Sequence, residues 1–323
     1  MDLGLMVEGQ EGLTWDAWRR LMAAAEDLGF ESLWRSDHLA SRIDGRRDSL
    51  ETWTSLTLAA AETSRLRFGP LVCPIMFRHP SLLAKMAAAV DLLSGGRLVL
   101  GIGAGWNAEE HHAFGIPFPP LSERLARLEE GIEVLRRLFG EGAARFSGRY
   151  YQLHGAEAQP KPTRTEASPS IPLLVGGMGD RVLPLVARCA DEWNLTTASP
   201  LIYRARSERL DELCLACGRD PSEIRRSVAV GFLIGGSERE LRRRSEAMQR
   251  LIPTLAGVDT SEVPNAVRRS GWVAGTPDQI VTVLQALATE GVGRVMLQHN
   301  DLEDTEALRL IAREVLPGVA FSQ

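Results

Sequence analysis

Two patterns of apolar residues alternate along the chain, a short continuous run and a longer amphipathic stretch. Asp2–Val7, Ser32–Arg35 and Arg97–Gly103 are short runs that predict strands, and the last of them is apolar almost throughout. Such runs are typical of a parallel sheet that is covered on both faces. Trp15–Leu28 carries apolar residues at helical spacing and follows Thr14, a good N-cap residue, so it predicts a helix.

The same strand–helix unit recurs to the end of the chain. The other predicted strands are Leu66–Cys73, Ile171–Val175, Glu192–Leu195, Ser227–Ile234 and Val292–Gln298. The other predicted helices are Leu50–Glu62, Pro80–Leu93, Leu121–Phe139, Arg181–Cys189, Leu201–Cys217, Glu238–Leu251, Pro277–Glu290 and Thr305–Val315. Two irregular stretches interrupt them, Ala144–Pro172, with a predicted hairpin over Phe146–Leu153, and Pro253–Gly275. This pattern predicts an α/β protein, a single (β/α)8 TIM barrel over residues 1–323 with insertions after strands 4 and 7; a doubly wound two-domain protein is the alternative.

Length and composition agree with a globular protein. The 323 residues are 44% hydrophobic and 24% charged, and the net charge of −5 gives no electrostatic reason to expect nucleic acid or an anionic membrane as a partner. No apolar stretch reaches the ~18 residues of a membrane span, and no signal-type segment opens the chain, so we expect a cytoplasmic protein. The four cysteines are too scattered for a disulfide framework, and Cys214 and Cys217 are interpreted as small buried helix residues.

In a (β/α)8 barrel, chemistry collects in the loops that follow the strands. Ser36-Asp37-His38 follows the second predicted strand. An aspartate–histidine pair can act in acid–base catalysis, bind a cofactor ring or ligate a metal, or simply cap the loop. Gly69–Pro74 combines two prolines with a glycine, which predicts either a bulge near a ligand or an ordinary proline-terminated strand.

Glycines follow the fourth and fifth predicted strands. In Gly101–Asn107 (GIGAGWN), three glycines at alternate positions leave room for a flat ligand against the chain. The run lacks the third glycine of a dinucleotide fingerprint, which disfavours a Rossmann interpretation. Gly176–Asp180 (GGMGD) opens a helix, where free amides favour a phosphate cradle over an ordinary glycine-rich turn.

Metal chemistry and serine hydrolysis find little support. Glu109-Glu110-His111-His112 offers metal-ligand residue types, but adjacent helix residues point about 100° apart, and we interpret the run as a solvated helix face. There is no G-x-S-x-G nucleophile elbow. We predict no metal, so a metal hydrolase remains only as an alternative that would require bound zinc or manganese.

Several longer motifs together resemble a known family almost end to end. They are Ala25–Phe30 with Trp34–His38, Arg78–Pro80 with Asp91–Arg97, Gly101–Asn107 through Phe114–Pro117, Ala190–Asn194, and Gly275–Pro277 with the eighth strand. The family is that of bacterial luciferase-like proteins, in particular its branch dependent on coenzyme F420, a deazaflavin.

The resemblance implies a cofactor site at the barrel mouth. Asp37 and His38 would contact the ring, a cis peptide between Pro70 and Leu71 would lie behind it, and Cys73 belongs to the same cluster. The remaining implied contacts are Gly103, Ala104, Gly105 and Trp106 at the ring edge, and Gly176, Gly177 and Met178 around the ribityl phosphate. Trp106 stands where some deazaflavin-dependent relatives carry a catalytic glutamate, which argues against a glutamate acid at that position.

The implied activity is hydride transfer between coenzyme F420 and a small organic substrate, with His38, Asp37 or a bound water handling the proton. One alternative is an FMN-dependent monooxygenase of the same fold that uses a separate flavin reductase. Another is a non-catalytic cofactor-binding barrel. The resemblance also implies a homodimer formed through helices of the early barrel. Possible substrate-pocket residues, which core packing explains equally well, are Phe77, His79, Trp106, Phe232 and His299.

Overall fold

A computed structural model describes residues 1–163 and 170–319 of the chain. Its strands are β1 Asp2–Val7, β2 Ser32–Arg35, β3 Arg67–Pro70, β4 Cys73–Pro74, β5 Leu100–Gly103, β6 Ala144–Ser147, β7 Gln152–Ala156, β8 Leu173–Gly176, β9 Glu192–Leu195, β10 Arg225–Ile234, β11 Val273–Gly275 and β12 Arg294–His299. Its α-helices are α1 Trp15–Asp27, α2 Thr52–Glu62, α3 Pro80–Ser94, α4 Ala108–Ala113, α5 Leu121–Phe139, α6 Leu183–Cys189, α7 Pro200–Ala216, α8 Glu238–Leu251, α9 Val263–Arg269, α10 Pro277–Thr289, α11 Thr305–Leu310 and α12 Leu316–Val319.

The central sheet is a closed ring of parallel strands. Its order is β3-β2-β1-β12-β10-β9-β8-β5-β4, in which β4 is a short continuation of β3. The ring closes beside β5, because the Phe68 amide donates to the Arg97 carbonyl at 3.2 Å and the Val99 amide donates to the Phe68 carbonyl at 2.9 Å. The helices that follow the strands cover the outside. The predicted (β/α)8 TIM barrel is therefore confirmed.

The third barrel strand differs from its prediction. Leu66–Cys73 was expected to be continuous, whereas β3 ends at Pro70 and β4 begins at Cys73. The cis peptide lies between Leu71 and Val72, so its predicted place between Pro70 and Leu71 is wrong by one residue. The reason is that β3 keeps its register with β2 through Pro70, and the Leu71 amide still donates to the Arg35 carbonyl at 2.8 Å.

Both irregular stretches contain structure. The predicted hairpin is formed by β6 and β7, which pair antiparallel. The rest of that Pro/Thr/Ser-rich stretch lies partly outside the described residues, at 164–169. In the second stretch, α9 leads into β11, and β11 extends the sheet by pairing with the end of β10. Among residues 1–163 and 170–319, no helix combines the length and apolar character needed to cross a membrane.

Most of the buried apolar side chains of the barrel itself belong to two clusters, and a third packs α8 and α9 against the ends of β10 and β11. The larger one lies between strands and helices, and a smaller one lies inside the ring. The inner cluster consists of Met6, Trp34, Val99, Leu174, Ala229 and Met296. Cys214 is buried as expected, but Cys217 is exposed because α7 ends at Ala216 and Cys217 caps it.

Charged side chains meet at the opposite end of the ring, where β9 and β12 begin. The guanidinium of Arg294 is 1% exposed, and it donates to Glu31 at 2.7 and 2.9 Å and to Glu192 at 2.5 Å. We call these three residues the basal ion cluster. Removing one partner from such a buried cluster leaves an uncompensated charge, which is costly.

Candidate active site at the barrel mouth

A cavity of about 410 Å³ opens where the barrel strands end. All eight barrel strands or their following loops contribute to its wall, and we call it the mouth cavity. The residues that line it are Met6, Glu8, Ser36, His38, Leu71, Val72, Pro74, Gly103, Ala104, Gly105, Trp106, Asn107, Glu110, His111, Leu121, Gly176, Gly177, Val182, Asn194, Thr196, Ala229 and Gln298.

The structure brings four distant parts of the chain to this cavity, as the sequence analysis expected. The predicted site residues that line it are His38, Leu71, Gly103, Ala104, Gly105, Trp106, Gly176 and Gly177. The predicted site residues that do not line it are Asp37, Pro70, Cys73 and Met178. The segments therefore converge, although four of the predicted residues lie outside the cavity wall.

Asp37 is held beneath the cavity by an ion pair. Its carboxylate is 1% exposed and accepts from Arg78 at 2.5 and 3.2 Å, while Arg78 also donates to Glu51 at 2.6 Å. Cys73 is next to Asp37, and burial, reinforced by the Asp37 charge, raises the pKa of its thiol well above the ordinary value. Asp37 thus anchors the loop that carries His38, and Cys73 is a protonated core residue.

His38 and Glu110 form a dyad in the wall of the mouth cavity. His38 Nδ1 lies 2.9 Å from Glu110 Oε2, and Glu110 Oε1 accepts from the Leu39 amide at 2.6 Å. Burial alone would lower the pKa of His38, but the hydrogen bond and charge of Glu110 outweigh it, so the pKa of His38 is raised. Burial would likewise raise the pKa of Glu110, yet His38 and the loop amides lower it. The dyad therefore favours a protonated histidine beside a carboxylate.

The tautomer of His38 follows from its partner. A carboxylate only accepts hydrogen bonds, so Nδ1 of His38 carries a proton towards Glu110. Nε2 is then the nitrogen available to a bound molecule. It accepts a proton when the ring is neutral and donates one when the ring is charged.

Glu110 is a candidate site residue that was not predicted from the sequence. Glu109–His112 was interpreted as a solvated helix face, but Glu110 is 5% exposed and His111 is 1% exposed. The reason is the direction of α4, which is capped by Asn107: the Asn107 side chain accepts from the Glu110 amide at 3.3 Å. The helix turns one of its sides into the mouth, where Glu110 meets the loop after β2.

Trp106 presents a large aromatic face at the rim. It is 60% exposed, and its ring makes an edge-to-face contact with His38 at 5.6 Å between centroids. The guanidinium carbon of Arg42 lies 5.1 Å from the Trp106 ring centroid. An indole so exposed beside a cavity is available for contact with a bound molecule.

The glycines of the mouth make room for protein as well as for a ligand. A Cβ at Gly103 would lie 2.7 Å from Val72 Cγ2, and one at Gly176 would lie 3.2 Å from Val72 Cγ1. A Cβ at Gly101 would lie 2.0 Å from the carbonyl oxygen of Pro70. The expectation that the Gly101–Gly105 glycines clear space for a flat ligand is therefore corrected for Gly101 and Gly103, which accommodate the β3–β4 segment.

The loop after β8 is fastened to β9. Gly177 has a φ of +133°, its amide donates to the Asn194 carbonyl at 2.9 Å, and its carbonyl accepts from Trp193 Nε1 at 2.7 Å. The Gly177 amide is thus already used, so a phosphate cradle here would depend on the amides that follow it. Open space surrounds Gly179, because a Cβ there would meet nothing within 4 Å.

A second cavity of about 280 Å³ adjoins the first. We call it the side pocket; it shares Glu8, His38, Trp106 and Gln298 with the mouth cavity. Of the possible substrate-pocket residues, Trp106 and His299 line it. The other three make other contacts: Phe77 packs on His111, His79 packs on Tyr151, and Phe232 stacks on His299.

Fold and site together define a (β/α)8-barrel enzyme with a cofactor-sized cavity at the strand ends. Residues 3–294 match the family described as luciferase-like monooxygenase, and the chain belongs to that family. It is 32% identical over 211 residues to an F420-dependent glucose-6-phosphate dehydrogenase of Kineococcus radiotolerans, covering 64% of this chain and only 60% of that protein. It is 24% identical to a 5,10-methylenetetrahydromethanopterin reductase of Archaeoglobus fulgidus, covering 91% of this chain and 92% of that protein.

Solved structures show the same fold. An F420-dependent secondary alcohol dehydrogenase in complex with an F420-acetone adduct superposes with a TM-score of 0.82 at 20% identity, covering 99% of each chain. A monooxygenase from Streptomyces bottropensis superposes with a TM-score of 0.83 at 23% identity, covering 99% of this chain and 100% of that one. Both similarities concern the barrel architecture.

Proposed function

We propose that this protein is an oxidoreductase that binds coenzyme F420 and transfers a hydride between it and a small organic substrate. The observation that carries the proposal is the His38–Glu110 dyad in the wall of a cavity built by all eight strand ends. The F420-dependent relatives named above support the choice of cofactor.

The residues present fit a flat ring with a phosphate tail. Leu71, Val72 and Ala104 give the mouth cavity an apolar wall on which a ring can lie, and Gly105 also lines it. The open loop at Gly179 would receive the phosphate. Most ligand sites combine such apolar surfaces with a few placed polar groups. When bound, coenzyme F420 supplies or accepts a hydride at a ring carbon.

The chain's own groups handle the proton. Reduction of a carbonyl requires one hydride at carbon and one proton at oxygen, and alcohol oxidation runs in reverse. His38 Nε2 would deliver or collect that proton, while Glu110 holds the ring in place and stabilises its charged form. Trp106 makes an edge-to-face contact with the His38 ring.

The first test is cofactor choice and the role of His38. We expect purified protein to bind coenzyme F420 in fluorescence titrations, and His38→Asn to keep that affinity while slowing turnover by about 10²–10⁴-fold, the usual contribution of general acid–base catalysis. His112→Asn, on the exposed side of α4, is the matched control and should change neither quantity.

Three outcomes would contradict the proposal. Binding of FMN without coenzyme F420, with oxygen-dependent product formation in the presence of a reductase, would support the FMN-dependent monooxygenase. Tight F420 binding without turnover on any carbonyl or enone would support a non-catalytic barrel. Unchanged turnover and affinity in His38→Asn would show that the proton is handled elsewhere.

We propose further that the protein is a cytoplasmic homodimer. All four cysteines are free, which suits a reducing compartment. Helix α3 exposes Leu82, Leu92 and Leu93 by 54, 54 and 52%, so it offers an apolar surface for a second copy. Light scattering should give twice the chain mass for the native protein and the chain mass for Leu82→Arg/Leu93→Arg.

A further inference from the structure

The side pocket is placed to hold the second reactant. Because it shares His38 and Trp106 with the mouth cavity, a molecule inside it borders the same proton-handling group as a ring bound in the mouth. Its volume of about 280 Å³ corresponds to about nine water molecules at liquid density. It therefore suits a compact molecule of about that many heavy atoms.

Two tryptophans give the side pocket aromatic walls. Trp106 comes from the loop after β5, and Trp272 precedes β11. Trp272 lies directly on the backbone of β10, since a Cβ at Gly231 would lie 2.1 Å from its ring. Ile252 and Leu302 add aliphatic surface. An apolar ring-shaped body is the kind of ligand that such walls favour.

The charges around the side pocket offset one another. Glu11 accepts from Arg47 at 2.7 Å. Glu8 accepts a hydrogen bond from a neighbouring side-chain amide, and the guanidinium of Arg42 lies over the Trp106 ring. Among the described residues that line the side pocket, and apart from the histidines, there are thus two carboxylates and two guanidiniums. A phosphate or carboxylate entering the pocket would lose its hydration without meeting a surplus of positive charge, which makes its burial unfavourable.

One buried polar group in the lining has no partner. His299, at the end of β12, is 2% exposed and stacks on Phe232 with centroids 5.6 Å apart. Its Nε2 has no hydrogen-bond partner among the described residues. Burial lowers the pKa of His299 to about 4, so the ring is neutral near pH 7. The His299 ring therefore adds no charge to the lining of the side pocket.

We infer that the substrate is an uncharged ketone, or the corresponding secondary alcohol, with an apolar ring-sized body, and that it binds in the side pocket between Trp106 and Trp272 with its oxygen within reach of His38. The inference rests on the proposed function. In the reductive direction a C–H bond forms from the hydride of reduced coenzyme F420. The C=O π pair takes a proton from His38, and the coenzyme is oxidised.

The test compares matched neutral and charged ketones. We expect acetophenone to be reduced with a kcat/KM at least tenfold above that of 4-acetylbenzoate, which adds only a carboxylate, and above any F420 reduction with glucose 6-phosphate. A preference for either charged compound, or no turnover of acetophenone by protein that binds coenzyme F420, would overturn the inference. Absence of F420 binding would instead overturn the proposed function.

Variants then locate the substrate. Trp272→Ala should raise the KM for acetophenone about tenfold while the Kd for coenzyme F420 stays unchanged. Trp15→Ala, at an exposed tryptophan on α1, is the control. If Trp272→Ala fails to fold, Ile252→Asp answers the same question, because a new carboxylate in the pocket should weaken neutral ketones selectively. Wild-type KM in the folded variant would show that the substrate binds elsewhere.

Discussion

The structure predicts by how much protonation of His299 lowers the free energy of unfolding. The pKa of this side chain is lowered from 6.5 to about 4, mainly by burial; Asp304 partly opposes the shift and Arg244 adds to it. In the unfolded chain the same imidazole has its ordinary pKa. Between these two values the unfolded chain binds a proton that the folded chain does not, so the free energy of unfolding falls as the pH drops from about 6.5 to about 4.

The size of the effect follows from the shift. One pKa unit corresponds to about 1.4 kcal/mol, so a shift of about 2.5 units predicts a loss of about 3 kcal/mol across this window. His299→Leu removes the titrating group. The difference in unfolding free energy between wild type and variant should therefore change by about 3 kcal/mol between pH 7 and pH 4, whatever the packing cost of the substitution.

Urea unfolding at half-unit pH intervals measures this difference. Titrating groups that do not interact with His299 act equally in both proteins and cancel. His38 is one of them: its raised pKa stabilises the protein at low pH, and that effect is lost as the pH rises through the pKa. A pH-independent difference for His299→Leu would refute the reasoning, because it would mean that the folded protein protonates this ring as readily as the unfolded chain.

Three other substitutions test the site and its supports. In Glu110→Gln the pKa of His38 should fall, so kcat/KM for carbonyl reduction should decline at lower pH than in wild type; an unmoved profile would show that Glu110 does not control the dyad. Gly103→Ala should lower the free energy of unfolding by about 1–3 kcal/mol, because its Cβ would lie 2.7 Å from Val72, and Val72→Ala should recover part of the loss; additive losses would contradict that contact. Arg294→Met should lower the free energy of unfolding, measured in urea, by about 3–5 kcal/mol, because Glu192 and Glu31 lose their partner. A loss below 1 kcal/mol would mean that water solvates the two carboxylates.

The barrel was predictable because burial on both faces leaves a plain signature in the sequence. Asp2–Val7, Ser32–Arg35 and Glu192–Leu195 form strands with the predicted bounds. Parallel topology then brings strand ends to one mouth without any knowledge of individual contacts. That general rule is why His38 and the Gly103–Trp106 segment were placed correctly on the cavity wall.

Local sequence patterns could not predict which residues these side chains contact. Glu110 is on a six-residue helix, too short for apolar spacing to indicate which side is buried. Asp37 meets Arg78 across 41 residues, so its role as an anchor depends on tertiary packing. The glycine at position 103 was recognised as special, but the neighbour that requires it, Val72, belongs to another strand.

The basal ion cluster has a practical consequence for engineering new activities. Because the start of β12 carries this cluster while the opposite end carries the mouth, libraries that diversify the loops around Trp106 and Trp272 leave those ion pairs intact. Directed evolution of substrate range can thus change the mouth while the buried ion pairs at the opposite end of the barrel stay as they are.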